Sequence, residues 1–289
     1  MCDFNGHGRP NGVGARVALT PAMMSKNYSE VNQRIESALD EAKHVFRRLQ
    51  AAEIAAEYKP GHDPVTELDR ALDAVLRERL LRKGEGWLSE ESVDDFSRLA
   101  SKQVWIVDPL DGTREFVAGI PEFSVSIAFV EEGRAVAGGI LNPATEEIFL
   151  GSVDSGLTYN GAPRHASQQQ TLTGATVLAS RSEIRRGEWE RFRAAPFQVV
   201  AVGSVAYKLA RVAAGFAEAT FTLSPKHEWD VAAGVALLQS AGGFIRPLEG
   251  THFIFNQPSP RIAGLVACGP LLRDSLLDFL QIGELPGRA

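Results

Sequence analysis

The sequence predicts a mixed chain in two successive parts, an α+β half followed by an α/β half. Three observations predict it. Two stretches with apolar residues at helical spacing come first, between Val31 and Leu80. A β-like alternation follows from Phe123 to Tyr159, with Glu132-Gly133 and Asn142-Pro143 as turn signals inside it. From Thr176 onward, strand-like and helix-like segments alternate, the pattern of an α/β layer. The expected division is a disordered lead-in at 1–28, an N-terminal α+β lobe at 29–165 and a C-terminal α/β lobe at 166–289. Gln168-Gln169-Gln170 reads as the linker between the lobes.

Composition narrows the function. A chain of 289 residues is long enough for a large core. The net charge of −6, with no run of Lys or Arg, argues against a nucleic-acid polymer as partner. No apolar run reaches membrane-spanning length, so no membrane partner is expected. The first two dozen residues lack the apolar core of a secretory signal. Cys2 and Cys268 are far apart and form no metal motif, which points to a reducing, cytoplasmic setting.

The first helix is expected to start at Ser29, a good N-cap. Its stripe of Val31, Ile35, Ala38, Leu39, Ala42, Val45, Phe46 and Leu49 predicts a helix to about Tyr58, broken by Lys59-Pro60-Gly61. Thr66-Glu67-Leu68-Asp69 resembles a capping box with Asp in place of Glu. A second amphipathic helix follows through Leu72, Leu76 and Leu80 and ends before Gly84. Trp87-Leu88-Ser89 then leads into Glu90-Glu91. Adjacent residues on a strand face opposite ways, so only one of these two glutamates can look into a given site.

The chain is organised around Trp105-Ile-Val-Asp-Pro-Leu-Asp-Gly-Thr-Arg-Glu-Phe116. Val104 to Val107 reads as the end of a buried strand, with Asp108 at its carboxyl end. Pro109 and Gly112 are expected to break the strand into a sharp turn. Asp111 follows Asp108 by three residues, and two like charges held together are costly unless a cation neutralises them or a proton is shared. Thr113 would open a helix, leaving the backbone N–H groups of Gly112 and Thr113 suited to an anion. A cation site and an anion site side by side are the equipment of a metal-assisted phosphatase.

Beyond it, Phe123–Val130, Arg134–Leu141, Glu147–Leu150 and Leu157–Tyr159 are expected to form an antiparallel meander with the two early helices packed on it. The second half predicts strands at Thr176–Ala179, Gln198–Val202, Ala217–Leu223 and Ile262–Ala267. Helices are expected at Glu188–Ala195, at Ser204–Ala214 with Gly215 closing it, at Trp229–Ala241 and at Leu271–Leu280. In the third of these, Val231, Val235 and Leu238 share a face, and Ala232-Ala233-Gly234 permits close approach to a neighbour.

Together Glu90, Asp108, Asp111 and Asp230 supply an all-oxygen site. Such a site suits a hard cation, Mg²⁺ or Mn²⁺, rather than zinc. Two cations sharing carboxylates would clamp the attacking and leaving oxygens of a phosphate.

Glu90-Glu91-Ser92, Asp108-Pro-Leu-Asp-Gly-Thr113 and Trp229-Asp230-Val-Ala-Ala-Gly234 resemble, in order and separation, motifs of the inositol monophosphatase superfamily of metal-dependent, lithium-sensitive phosphomonoesterases. Asp63-Pro-Val-Thr-Glu-Leu-Asp69 is similar to a fourth motif. The resemblance runs from about Val31 to Leu280. It implies a layered α-β-α-β-α sandwich, a homodimer, and a small phosphorylated metabolite as substrate. It further implies that Glu90, Asp108, Asp111 and the Leu110 carbonyl bind a first Mg²⁺, and that Asp108, Asp111 and Asp230 bind a second. The implied catalytic set is Thr113, Asp69 and Glu90: Thr113, paired with Asp69, would orient the water, and a third, weaker metal would sit near Glu90. Intact acids and Thr113 argue against the alternative of a catalytically silent binding member.

For the substrate the sequence leans one way. Arg114-Glu115-Phe116 is similar to the Lys-Glu-Phe of 3′(2′),5′-bisphosphate nucleotidases, and Lys208 matches a nucleotidase lysine that would meet a second phosphate. Leu223 stands where inositol phosphatases carry a Glu. Gly112, Thr113, Ser204, Lys208 and His227 are therefore the expected substrate-binding residues of a nucleotidase-like enzyme. Against this, the Gly203-Ser204 spacing to Gly215 follows the inositol branch, which is the alternative: inositol 1-monophosphatase or another sugar or polyol phosphatase.

Overall fold

The computed structural model describes residues 26–50, 56–58 and 64–282. Helix α1 spans Ser29–Gln50. Strands β1 (Ala56–Tyr58) and β2 (Pro64–Thr66) pair antiparallel, so the first helix does not run to Tyr58 as its spacing predicts. Helix α2 covers Glu67–Leu80, and the capping box is present: the Thr66 hydroxyl accepts the Asp69 N–H while the Asp69 carboxylate accepts the Thr66 N–H. Asp63 of the fourth motif and residues 1–25 lie outside the described residues. The end of the expected lead-in is packed down, with Tyr28 buried and its hydroxyl donating to Glu131 at 2.9 Å.

Seven strands form the first sheet: β3 (Gly86–Ser89), β4 (Gln103–Asp111), β5 (Ser124–Glu131), β6 (Arg134–Asn142), β7 (Glu147–Ser152), β8 (Gly156–Tyr159) and β9 (Ala162–Arg164). They are hydrogen-bonded in chain order. The meander is antiparallel as expected, except that β3 runs parallel to β4 at the edge. The short helix α3 (Thr113–Val117) branches off between β4 and β5.

Pro109 does not end its strand. Strand β4 continues to Asp111 through a bulge: Asp108 pairs with Ser126 and Asp111 with Ser124, so Pro109 and Leu110 stand against Val125 alone. A proline has no N–H to give the ladder and is at home in such a bulge.

The second sheet is built from β10 (Thr176–Ser180), β11 (Gln198–Val202) and β12 (Ala219–Thr222), with two later strands, β14 (Phe244–Pro247) and β16 (Leu265–Cys268). Its order is β11-β10-β12-β16-β14, parallel across the first three and antiparallel across the rest. Strands β13 (Lys226–His227) and β15 (Arg261–Ile262) form a separate small pair. The helix expected at Glu188–Ala195 is instead the short α4 (Arg181–Arg185) and a 3₁₀ turn at Glu190–Phe192. Helices α5 (Val205–Ala213), α6 (Glu228–Ser240) and α7 (Arg273–Phe279) fall within one to two residues of expectation.

Burial defines five layers. Trp105 and Val107 of β4 pack with Ile35, Leu39, Leu72 and Leu76 of α1 and α2. Val104 and Ile106 face the other way and join a core with α5 and α6, as the two-residue period of a strand requires. Leu178, Val202 and Ala267 of the second sheet close that core from the far side. Val177, Phe221 and Val266 on the sheet's opposite face meet Trp189, Leu272 and Leu276. The result is the α-β-α-β-α sandwich. Helix α6 lies between the two sheets, so every residue from Val231 to Leu238 is buried, not one face. The small residues serve close approach: a methyl on Gly234 would lie 2.5 Å from Leu209 of α5.

Candidate active site

The expected acids converge at one edge of the layers. A carboxylate oxygen from each of Glu90, Asp108 and Asp230 lies within 4.8 Å of the other two. Glu90 follows the end of β3, Asp108 lies at the bulge of the adjacent β4, and Asp230 sits in the first turn of α6. Asp111 shares the face of Asp108, since both stand opposite alternate residues of β5, Ser126 and Ser124. Those serines tie the sheet to the helices below: Ser126 donates to the Trp229 carbonyl at 3.2 Å, and Ser124 meets the Ser204 hydroxyl at 2.9 Å.

The electrostatics are those of an acid cluster short of positive charge. Burial and then the nearby Glu90, Asp111 and Asp230 push the Asp108 carboxyl well above the usual carboxylate range. Burial and Asp111 do the same to Asp230, against the opposing hydrogen bond from the His227 N–H at 2.8 Å. Asp108 Oδ1 accepts the Leu110 N–H at 3.0 Å, whereas Oδ2 is buried with no hydrogen-bond partner. A buried, unsatisfied carboxylate oxygen is costly. Its position among three other carboxylates fits a cation bound by oxygen alone.

Beside the acids, the Thr113 hydroxyl lies 2.9 Å from the Leu110 carbonyl and 3.4 Å from Asp69 Oδ1. The other Asp69 oxygen accepts both the backbone N–H and the hydroxyl of Thr66, which fixes the carboxylate. Gly112 is the N-cap of α3, at φ 95°.

The expected substrate residues are placed less uniformly. Ser204 caps α5: its hydroxyl accepts the Tyr207 N–H at 2.9 Å and donates to Asp111 Oδ2 at 2.7 Å. The Ala206 N–H reaches the same oxygen at 2.7 Å. The expectation that Lys208 meets a second phosphate does not match its placement. The residue is 4% exposed, and its ammonium donates to the carbonyls of Gly203 at 2.7 Å and Ser204 at 3.0 Å. Burial brings its pKa down to about 8, with Asp111 opposing the fall. His227 is half-buried and stacked on Trp229, ring centroids 4.6 Å apart. Burial, with Arg261 and Lys226 nearby, lowers its pKa and favours a neutral ring.

Three further residues support the site. Ser124 and Ser126 are polar at alternate positions of an otherwise apolar strand, and that period was their signal. Glu228, adjacent to Trp229-Asp230, is buried and accepts the N–H groups of Asn256 and Gln257 at 2.7 and 3.0 Å, which ties the start of α6 to a distant loop. No local pattern marks that role.

Comparison with known proteins agrees with this arrangement. The model of the inositol monophosphatase family matches residues 27–274. The inositol-1-monophosphatase of Mesorhizobium japonicum is 32% identical over 87% of this chain and 96% of that protein. The Nus factor SuhB of Pseudomonas aeruginosa is 32% identical over 82% of this chain and 92% of its own. The crystal structure of the extragenic suppressor protein SuhB from Bartonella henselae superposes with a TM-score of 0.76 at 29% identity, covering 89% of this chain and all of that one. Among the described residues no helix is long and apolar enough to cross a membrane. Given a match of this length over acids so placed, the chain belongs to the inositol monophosphatase family, whose members are metal-dependent phosphatases of phosphoric monoesters.

Proposed function

We propose that the protein hydrolyses the phosphate ester of a small polyol, with inositol 1-phosphate as the representative substrate, in the presence of Mg²⁺. The observation that carries this is the convergence of Glu90, Asp108 and Asp230 around the unpartnered Asp108 Oδ2, with Thr113 and Asp69 alongside. Glu90, Asp108, Asp111, Asp230 and the Leu110 carbonyl are the oxygens that would hold divalent cations. When bound there, such cations lower the pKa of a water and neutralise phosphate charge. The protein's own part is positional. Asp69, pinned by Thr66, sets the Thr113 hydroxyl for the attacking water. The backbone N–H groups of Gly112 and Thr113 suit the phosphate oxygens.

A polyol is favoured over a nucleoside bisphosphate because the second anion loses its partner. The Lys208 ammonium is spent on backbone carbonyls. Of Arg114-Glu115-Phe116, Glu115 is buried and Phe116 packs edge-on against Phe123, 5.2 Å between centroids. The M. japonicum relative, named for inositol-1-phosphate hydrolysis, supports the same branch.

One observation favours the nucleotidase reading. Leu223, which stands where the inositol branch is expected to carry a Glu, is 39% exposed and offers no carboxylate to a sugar hydroxyl. A phosphate-release panel with Mg²⁺ decides between them, using inositol 1-phosphate, adenosine 3′,5′-bisphosphate, fructose 1,6-bisphosphate and histidinol phosphate. The highest kcat/KM is expected for inositol 1-phosphate. A clear preference for the adenosine bisphosphate would establish the second reading, and no release from any of the four would leave a binding protein.

A further inference from the structure

Lys208 is a long cationic side chain sealed inside the molecule, and the chemistry above does not use it. An ammonium has three hydrogens and no acceptor, so its direction is set by the oxygens that take them. Here they are three consecutive carbonyls: Gly203 at 2.7 Å, Ser204 at 3.0 Å and, more weakly, Val202 at 3.5 Å. These belong to the turn that carries the chain from β11 into α5. The same turn is gripped from its other side. The Gly203 N–H donates to Glu122 Oε2 at 2.8 Å, and Arg181 holds that oxygen in place. The fit leaves no slack, because a Cβ on Gly203 would lie 2.4 Å from the Glu122 carbonyl oxygen and 2.6 Å from Glu115 Cγ.

Two donors leave this clamped turn toward the acids. The Ser204 hydroxyl and the Ala206 N–H both end on Asp111 Oδ2, each at 2.7 Å. The Ser204 hydroxyl has one hydrogen and gives it to Asp111, so Ser124 is the donor in their 2.9 Å contact. Asp111 is thereby fixed by groups whose own positions depend on the carbonyls that Lys208 gathers.

We infer that Lys208 is a positioning residue for the cation site, holding the 202–204 turn so that Ser204 and Ala206 fix the Asp111 carboxylate. This rests on the reading of Glu90, Asp108, Asp111 and Asp230 as cation ligands. It makes the lysine a determinant of metal affinity and not of substrate affinity. Outer partners that orient a ligand change metal affinity by about tenfold to a hundredfold when removed.

The test is Mn²⁺ binding to the full chain without substrate, followed by electron paramagnetic resonance or calorimetry, beside steady-state kinetics. Lys208→Met keeps the length of the side chain and removes the charge. It is expected to weaken Mn²⁺ binding by about tenfold while the substrate KM at saturating metal stays near wild type. Ser204→Ala should weaken Mn²⁺ similarly, and the double variant should be little worse than either single one, because both act through one path. If wild type binds no Mn²⁺, the ligand reading itself fails. Equal Mn²⁺ affinity in wild type and Lys208→Met overturns the inference and leaves that reading standing. A raised substrate KM with unchanged Mn²⁺ affinity also overturns it, since Lys208 would then contact substrate. Fully additive losses in the double variant overturn the route through Ser204. Should Lys208→Met fail to fold by circular dichroism, Lys208→Gln, which keeps an amide donor for the Gly203 carbonyl, takes its place under the same criteria.

Discussion

Thr113 and Asp69, 44 residues apart in sequence, meet at 3.4 Å between the hydroxyl and Oδ1. The contact joins the capping box of one helix to the first residue of another. If its role is to orient the attacking water, the hydroxyl matters mainly in the transition state. Thr113→Ala should then lower kcat by about a hundredfold and leave KM nearly unchanged. A change confined to KM would make Thr113 a phosphate contact and nothing more.

Asp111→Asn should fold as wild type does, because an amide oxygen can still accept the Ser204 and Ala206 hydrogen bonds. In the proposed cation site, the lost charge would weaken the hold on the metal. Turnover at ordinary Mg²⁺ should fall by about a hundredfold or more, a barrier increase of about 3 kcal/mol. Near-wild-type turnover in this variant would remove the acids from the cation site.

Removing metal should invert the pH dependence of stability. Asp108 and Asp230 are held above the usual range, and Glu228 is pushed by burial up to about 7. Groups whose folded pKa is raised contribute stability that is complete below the unfolded value, near pH 4. That contribution is lost as pH rises through the folded values. In EDTA, Tm should therefore fall between about pH 6 and pH 8, and excess Mg²⁺, which binds the ionised cluster, should flatten or reverse the fall. A Tm in EDTA that climbs over that interval would contradict the cluster's charge assignment.

Cys268 is fully buried, and burial pushes its thiol up to about 12. Thiolate is the reactive form, so this cysteine should be inert in the folded protein. In a Cys2→Ser variant, Ellman's reagent should give no signal until denaturant is added. Rapid labelling under native conditions would show that the second sheet opens readily.

The architecture and the acids were legible for a common reason. Strand alternation, the Thr66–Asp69 capping box and the Asp-Pro-Leu-Asp-Gly-Thr run are local patterns, and local patterns survive folding. Placement of long side chains was not legible. Lys208 has the same letters around it whether its ammonium faces substrate or curls back onto Gly203 and Ser204. Apolar spacing alone predicts a helix to Tyr58, whereas Ala56–Tyr58 pairs with Pro64–Thr66 as a strand, a partner that helical spacing does not reveal. Glu188–Ala195 has the composition of a helix, but Trp189 and Phe192 are drawn against Phe221, and tertiary packing overrides propensity there. Strands β9 and β14 are four residues or fewer, too short to show a period.

The bulge at Pro109 sets soundness of the sheet against equipment of the site. An Asp-x-Asp spacing in an unbroken ladder would also place two carboxylates on one face, with every backbone group of the strand committed to its neighbour. The actual chain inserts one residue more, and the Leu110 carbonyl points to the Thr113 hydroxyl at 2.9 Å. That oxygen is one the proposed cation site counts on. Shortening the stretch by deleting Pro109 would mend the ladder and strip the site of a donor. A search for stabilising changes that scored pairing alone would select the repair, and would trade away an oxygen of the proposed cation site to obtain it.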